Sequence, residues 1–345
     1  EIAKEEMSIA NSKKNTDYFH DLYLSLGEPS TGNIKAILGL RYNDNGEFSD
    51  ITSNILSSSF TVGSVVKGAT IAVGYNNNLI TPGKYITDGC IKIYGVPEKC
   101  SFKRLGKIND LTALAYSSNY YQFLIAVGLT NNKYSPNIKL NATDKEFNIY
   151  RNTLASYGLG SLTGIDLEGE TIGQIGKTIS DDLLLNLSIG QYDSYTDIQL
   201  LQYINSIAMS KRIKLNMMNK ILNNGDVIKK NDTQVLNNLE INNDNMSRVH
   251  MGLQKVLEIG TGKGAVDMNL NPVGKTGTSE TVYNGDNKTI VISTSLAIYY
   301  PEDNPKYSLA IIAPNISYEN DEKAYTYPIT KHISKKITDF LFLNY

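Results

Sequence analysis

Histidine, cysteine and long apolar runs are all scarce in this 345-residue chain. The three histidines, His20, His250 and His332, are too dispersed to suggest a histidine-based catalytic group. Charge of one sign is also missing. The 33 Lys and Arg against 35 Asp and Glu leave a net charge of −2, which offers no electrostatic footprint for nucleic acid. No stretch approaches the ~18 consecutive apolar residues of a membrane span, and the first residues do not read as a signal peptide. Gly274-Lys275-Thr276 and Gly176-Lys177-Thr178 each mimic the end of a phosphate-binding loop. The glycine required five positions before the Gly-Lys pair is replaced by Asn269 and Thr171. Gly260-x-Gly262-x-Gly264 brings its third glycine one position early for a dinucleotide fingerprint. Neither pattern supports a nucleotide-binding role.

What the chain does have is Ser64-Val65-Val66-Lys67 and, late in the sequence, Lys275-Thr276-Gly277-Thr278. A serine hydroxyl is a poor nucleophile until a base takes its proton, and lysine can be that base only when neutral. Desolvation and a second nearby cation push an amine toward neutrality, a part that Lys275 could play for Lys67. Residues three apart share a helix face, so a helix beginning here would set the Lys67 amine beside the Ser64 hydroxyl. Its N-terminus would present unpaired N–H groups to an oxyanion, with Gly63 allowing close backbone approach. A third element is Ser117-Ser118-Asn119, followed by the apolar run Phe123–Val127. A second Ser-x-Asn, at Ser135-Pro136-Asn137, reads as a surface turn. Ser117 follows Ser64 by 53 residues, and Lys275 follows Ser117 by 158.

In that order and spacing the chain resembles the transpeptidase domain of class B penicillin-binding proteins. The likeness extends to Glu28–Ile37 around a Thr-Gly turn, to Tyr157–Gly160 with Gly164–Glu170, to Ser188–Gln191 leading into Thr196–Leu200, and to Gly260–Ala265. The resemblance implies that Ser64 is the nucleophile and Lys67 its general base. Ser117 and Asn119 would relay protons and hold the substrate amide, and Lys275 would keep the local field positive. Thr276 and Thr278, flanking Gly277, would bind the substrate's terminal carboxylate, and the N–H groups of Ser64 and Thr278 would form the oxyanion hole. The implied activity is D,D-transpeptidation of peptidoglycan stem peptides, with β-lactams as covalent inhibitors and a glycosyltransferase as partner. No cofactor is needed for the acyl chemistry. A chain that starts at Glu1 then reads as part of a longer protein whose N-terminal anchor and pedestal are missing, with this domain on the extracytoplasmic face of the bacterial membrane. Two alternatives share the motifs: a β-lactam-hydrolysing serine enzyme, and a noncatalytic β-lactam sensor or cell-wall scaffold.

Departures from the family pattern are local. Thr61-Val62-Gly63 stands where Glu-Pro-Gly is more usual, and Val65-Val66 replaces Thr-Phe. Where the family usually brings an aromatic pair, often with Trp, back along the strand after Lys-Thr-Gly, this chain reads Ile290–Tyr300 and has no Trp. Cys90 and Cys100 flank Gly95 and leave three readings open. They are reduced thiols, a disulfide across a hairpin, or, with Asp88 and completed by His20 or His250, ligands of a structural zinc.

The expected fold class is α+β, an antiparallel sheet flanked by helices on both sides, in one catalytic domain over 1–345. Leu22–Leu26 with Ile34–Tyr42, and Thr289–Tyr300 with Tyr307–Ala313, read as strand pairs. Asp197–Ala208, Val249–Ile259 and the C-terminal Ile329, Ile333, Ile337, Phe340 and Leu341 have helical spacing. The Asn- and Lys-rich stretch 215–245 reads as a surface excursion.

Overall fold

The computed structural model describes residues 1–318 and 327–344. Six strands form one antiparallel sheet in the spatial order Val273–Val282, Ile290–Tyr300, Tyr307–Tyr318, Asp21–Gly27, Ile34–Tyr42 and Phe48–Asp50. Both expected strand pairs are present, and the last long strand runs on to Tyr318. Successive residues of a strand face opposite sides, so a central strand covered on both faces must be apolar throughout. Leu296, Ile298, Leu309 and Ile311 accordingly enter one core, and Ala297, Tyr299, Ala310 and Ile312 the other.

The helices are α1 (Ile2–Asn11), α2 (Lys67–Asn76), α3 (Asp110–Ala115), α4 (Asn119–Leu129), α5 (Asp144–Ser156), α6 (Asp181–Ser188), α7 (Asp197–Met209), α8 (Asn243–Glu258) and α9 (Ile329–Asn344). The first and last close one face of the sheet, tied by Lys336 to Glu6 at 2.8 Å and by the Tyr327 hydroxyl to Glu6 at 2.7 Å. On the other face α2 is the hub, with every residue from Lys67 to Tyr75 buried. The architecture is the expected α+β sandwich, with helices on both sides of one antiparallel sheet.

One buried ion pair locks the helical lobe. Asp110, the first residue of α3, accepts a bidentate pair from Arg248 of α8 and a 2.6 Å hydrogen bond from Tyr75 of α2. Burial alone would raise the Asp110 carboxyl, but Arg248, Tyr75 and the Gly83 N–H outweigh it and hold it below its ordinary value. α8 begins six residues earlier than the apolar spacing indicates, because Asn242 caps it by accepting from the Asn245 N–H. Within 215–245, Leu215 and Leu239 are buried, whereas the hairpin of Lys220–Asn223 and Asp226–Lys230 is exposed at every residue.

Candidate active site

Ser64 lies on a tight 3-10 turn, Gly63–Val66, that runs directly into α2. The turn is held by the sheet. Ser295 Oγ donates to the Val62 carbonyl and Ser279 Oγ to the Thr61 carbonyl, each at 2.7 Å. Gly63 has a φ of +57°, and a Cβ there would sit 2.1 Å from the Thr278 carbonyl oxygen. Only glycine takes that conformation and that contact without strain. Gly277 is equally tight against the Val62 carbonyl, at 2.1 Å from a notional Cβ. The nucleophile candidate is thus pressed against the Lys275-Thr276-Gly277-Thr278 strand by backbone contacts on both sides.

Lys67 and Lys275 are both almost fully buried and converge on one hydroxyl. Lys67 Nζ donates to the Ser117 carbonyl at 2.9 Å, to Asn119 Oδ1 at 2.6 Å and to Ser117 Oγ at 3.3 Å. Lys275 Nζ donates to Ser117 Oγ at 3.1 Å and to the Thr276 carbonyl at 2.8 Å. The Ser64 hydroxyl, half-buried, makes no hydrogen bond among the described residues. Among the described residues Lys67 makes its hydrogen bonds to Ser117 and Asn119 and none to Ser64. Burial, reinforced by the Lys275 charge and opposed by Asp88, pushes the Lys67 amine well below its ordinary value. Burial lowers Lys275 to about 7.

Ser117 takes a left-handed φ of +58° in the connection between α3 and α4. Such a conformation is unusual outside glycine and asparagine, and here the surroundings fix it. Ser118 caps α4 by accepting from the Tyr121 N–H at 3.0 Å, and it donates to Asp88 at 2.7 Å. Ser101 Oγ accepts from the Asn119 N–H at 3.0 Å. Asp88 and Ser101 thus position the Ser-x-Asn turn, a part that no spacing in the sequence announces. Ser118 did carry a signal, since a serine before an apolar run is a helix-cap pattern.

Of the three readings left open for Cys90 and Cys100, the structure shows the disulfide. Cys90 and Cys100 face each other across a two-stranded ribbon and are joined as a disulfide, so neither sulfur is a thiolate ligand. Asp88 is spent on Ser118, Ser101 and the Leu105 N–H. The candidate completions are engaged elsewhere, His20 at the Tyr42 carbonyl and His250 at the Ile207 carbonyl and Glu302. The ribbon still bears on the site, because the Cys100 carbonyl accepts from Asn119 Nδ2 at 3.3 Å.

A cleft of about 570 Å³ opens over these groups and is lined by Ser64, Ser117, Asn119, Thr276 and Thr278. Thr261 also lines it and shares a 2.7 Å hydrogen bond with the Thr276 hydroxyl. Ile189, Gln191, Glu280 and the exposed Phe102 complete the wall, none of them given a role by sequence reasoning. The strand holding Lys275 is the sheet's edge. Its Glu280 N–H leaves the ladder for Gln191 Oε1 at 3.1 Å, and the two-residue period turns the Thr278 N–H toward the same open edge.

A family model described as the penicillin-binding protein transpeptidase domain matches residues 23–338. Penicillin-binding protein 2A of Bacillus subtilis is 29% identical over 99% of this chain and 49% of its own length. Penicillin-binding protein H of the same organism is 31% identical over 96% of this chain and 48% of its own length. The chain spans about half the length of the curated relatives it matches. Among solved structures, penicillin-binding protein 2B of Streptococcus pneumoniae superposes with a TM-score of 0.87 at 26% identity, covering 100% of this chain and 57% of the other. The fold is shared by penicillin-binding protein 3 of Mycobacterium tuberculosis, at a TM-score of 0.74 and 18% identity, over 99% of this chain and 77% of that one. The chain belongs to the class B penicillin-binding proteins and comprises their transpeptidase domain.

Proposed function

We propose that this domain is a serine D,D-transpeptidase of peptidoglycan and a covalent target of β-lactams. Ser64 Oγ attacks the penultimate D-alanyl carbonyl of a stem peptide while its proton passes to Lys67. The tetrahedral oxyanion is held by the N–H groups of Ser64 and Thr278. Collapse breaks the amide bond, and the departing D-alanine takes a proton relayed through Ser117. An amine of a neighbouring stem then attacks the ester, forms the cross-link and frees Ser64. The donor's terminal carboxylate rests on the Thr276 and Thr278 hydroxyls near Lys275. In the whole protein this places the domain outside the membrane, beside a glycosyltransferase that supplies the strands.

The observation that carries this reading is the convergence of two buried lysines on the Ser117 hydroxyl, at 3.3 and 3.1 Å, in a cleft that Ser64 and Thr278 also line. Two like charges brought together out of water lose protons, which supplies the neutral amine the chemistry needs. A neutral Lys67 has only two N–H bonds, taken by the Ser117 carbonyl and Asn119, so it no longer donates to Ser117 Oγ and its lone pair is left to accept a proton. General-base assistance of this kind is worth ~10²–10⁴ in rate.

Intact-mass spectrometry with a fluorescent penicillin tests the assignment. Wild type should gain one stable adduct and Ser64→Ala none; an adduct retained by Ser64→Ala sinks the assignment. Rapid loss of the wild-type adduct would favour a hydrolase.

A further inference from the structure

Asp88 is a buried carboxylate with no cation bonded to it among the described residues. Its contacts are all with neutral donors: Ser118 Oγ at 2.7 Å and Ser101 Oγ at 3.4 Å donate to Oδ1, and the Leu105 N–H donates to Oδ2 at 3.3 Å. A charge held out of water without an ion-pair partner is costly, so where it sits matters. It sits against the Ser117-Ser118-Asn119 turn. The ribbon closed by the Cys90–Cys100 disulfide carries Asp88 two residues before one cysteine and Ser101 directly after the other. Asp88 takes the middle residue of the turn and Ser101 the Asn119 N–H, while the outer residues Ser117 and Asn119 hold the Lys67 amine.

The charges that reach Lys67 come from two directions. Lys275, on the edge strand, repels a proton on Lys67, and Asp88, on the ribbon, favours one. The other charges that α2 meets, Asp110 and Arg248, are paired with each other at Tyr75, eight residues along and so about 12 Å away at the rise of a helix. The nearby phenols stay neutral. Burial raises Tyr203, which donates to the Val65 carbonyl, and Tyr120, whose ring lies beside Gly89.

In the acylation described above the Ser64 O–H bond breaks, the oxygen bonds the acyl carbon and the proton goes to Lys67. A cation then forms where Lys275 already disfavours one. We propose that Asp88 is a positioning residue for this step: through Ser118 it fixes the turn that cradles Lys67, and its carboxylate is the counter-charge for the ammonium that Lys67 becomes. The inference rests on the transpeptidase reading and adds to it the anion that the buried lysine pair works against.

Asp88→Asn tests it. The Ser118 and Ser101 hydroxyls can turn to accept from the new amide while its oxygen accepts from the Leu105 N–H, so the contacts survive and the charge is removed. Acylation by excess fluorescent penicillin is followed by intact mass from mildly acidic to mildly alkaline pH, and its exponential rate constant does not depend on how much of a variant is folded. At the wild-type optimum Asp88→Asn should be about tenfold slower, a part of the ~10²–10⁴ that a general base is worth. The acid limb, where the lysine pair takes up a proton, should move to lower pH, because the charge that favours protonated Lys67 is gone. The deficit should therefore shrink toward acid. Asp88→Glu should keep the wild-type midpoint. Ser118→Ala, which loses the contact and the helix cap but keeps the carboxylate, should lower the melting temperature and leave the midpoint in place. A loss in Asp88→Asn that is uniform across pH, or a profile equal to wild type, overturns the counter-charge. So does a Ser118→Ala midpoint that moves as far as that of Asp88→Asn. If Asp88→Asn does not fold, Asp88→Ser, smaller and equally neutral, carries the same expectations. Wild type that gains no penicillin adduct overturns the transpeptidase reading itself, a result separate from any on Asp88.

Discussion

Two buried charge clusters share α2 and are built on opposite rules. At Asp110 a carboxylate is met by Arg248, Tyr75 and the Gly83 N–H, so charge and hydrogen bonds are satisfied together. At Lys67 two cations share one hydroxyl, and the amines are depressed rather than neutralised by an ion pair. The first arrangement ties α2, α3 and α8 into a unit. The second spends that rigidity on keeping a reactive amine out of water, which a floppy lobe would flood.

Substitution at the two centres should separate these roles. Lys67→Met should slow penicillin acylation by ~10²–10⁴, the worth of a general base, without lowering the melting temperature; a drop in melting temperature with the rate intact would break the distinction. Arg248→Met should do the reverse. It leaves Asp110 buried and uncompensated, which costs about 3–5 kcal/mol, while the acylation rate per folded molecule stays within about twofold of wild type. Calorimetry and stopped-flow labelling on one preparation read both quantities.

Proton linkage sharpens the contrast. Lys275 has a folded value of about 7 against an ordinary 10.5. Across that window the unfolded chain holds a proton that the folded chain has lost, so the unfolding free energy contributed by this group rises with pH. Lys275→Met should flatten the slope of stability against pH between about 7 and 10.5, as followed by denaturant titration; an unchanged slope would mean that the amine stays charged. The smallest effect belongs to the exposed hairpin. Ile228→Lys should shift stability by no more than about 0.5 kcal/mol and leave acylation untouched, giving the baseline for both buried centres.

The serines and lysines of the candidate site could be picked out because the proposed chemistry demands particular residue types at short, countable intervals. Ser64, Ser117 and Asn119 line one cleft, and the buried Lys67 and Lys275 bond to Ser117 beneath it. The sheet was legible for a similar reason, since long apolar strands and turn-rich loops leave a local imprint. What stayed hidden depends on pieces distant in sequence. Nothing near Asp88 marks it as the support of Ser118, and nothing in the Cys90–Cys100 spacing decides between metal and disulfide until the ribbon sets the two residues opposite each other. The turn at Ser117 illustrates a subtler limit. Helical spacing pairs Lys67 with Ser64, but it could not show that the left-handed Ser117 also brings its carbonyl and hydroxyl to the amine. Glu280 escaped notice because a lone carboxylate carries no pattern, and only the strand register turns it into the cleft.

The packing of Gly63 and Gly277 against the backbone of Thr278 and Val62 has a consequence for drug escape. An inhibitor that draws its contacts from main-chain atoms at this seam meets a surface that side-chain replacement cannot readily reshape. Any Cβ added at either glycine strikes a carbonyl oxygen, and the damage falls on the enzyme's own turn before it reaches the inhibitor. Resistance would then have to come from the cleft's outer wall, at side chains such as the exposed Phe102.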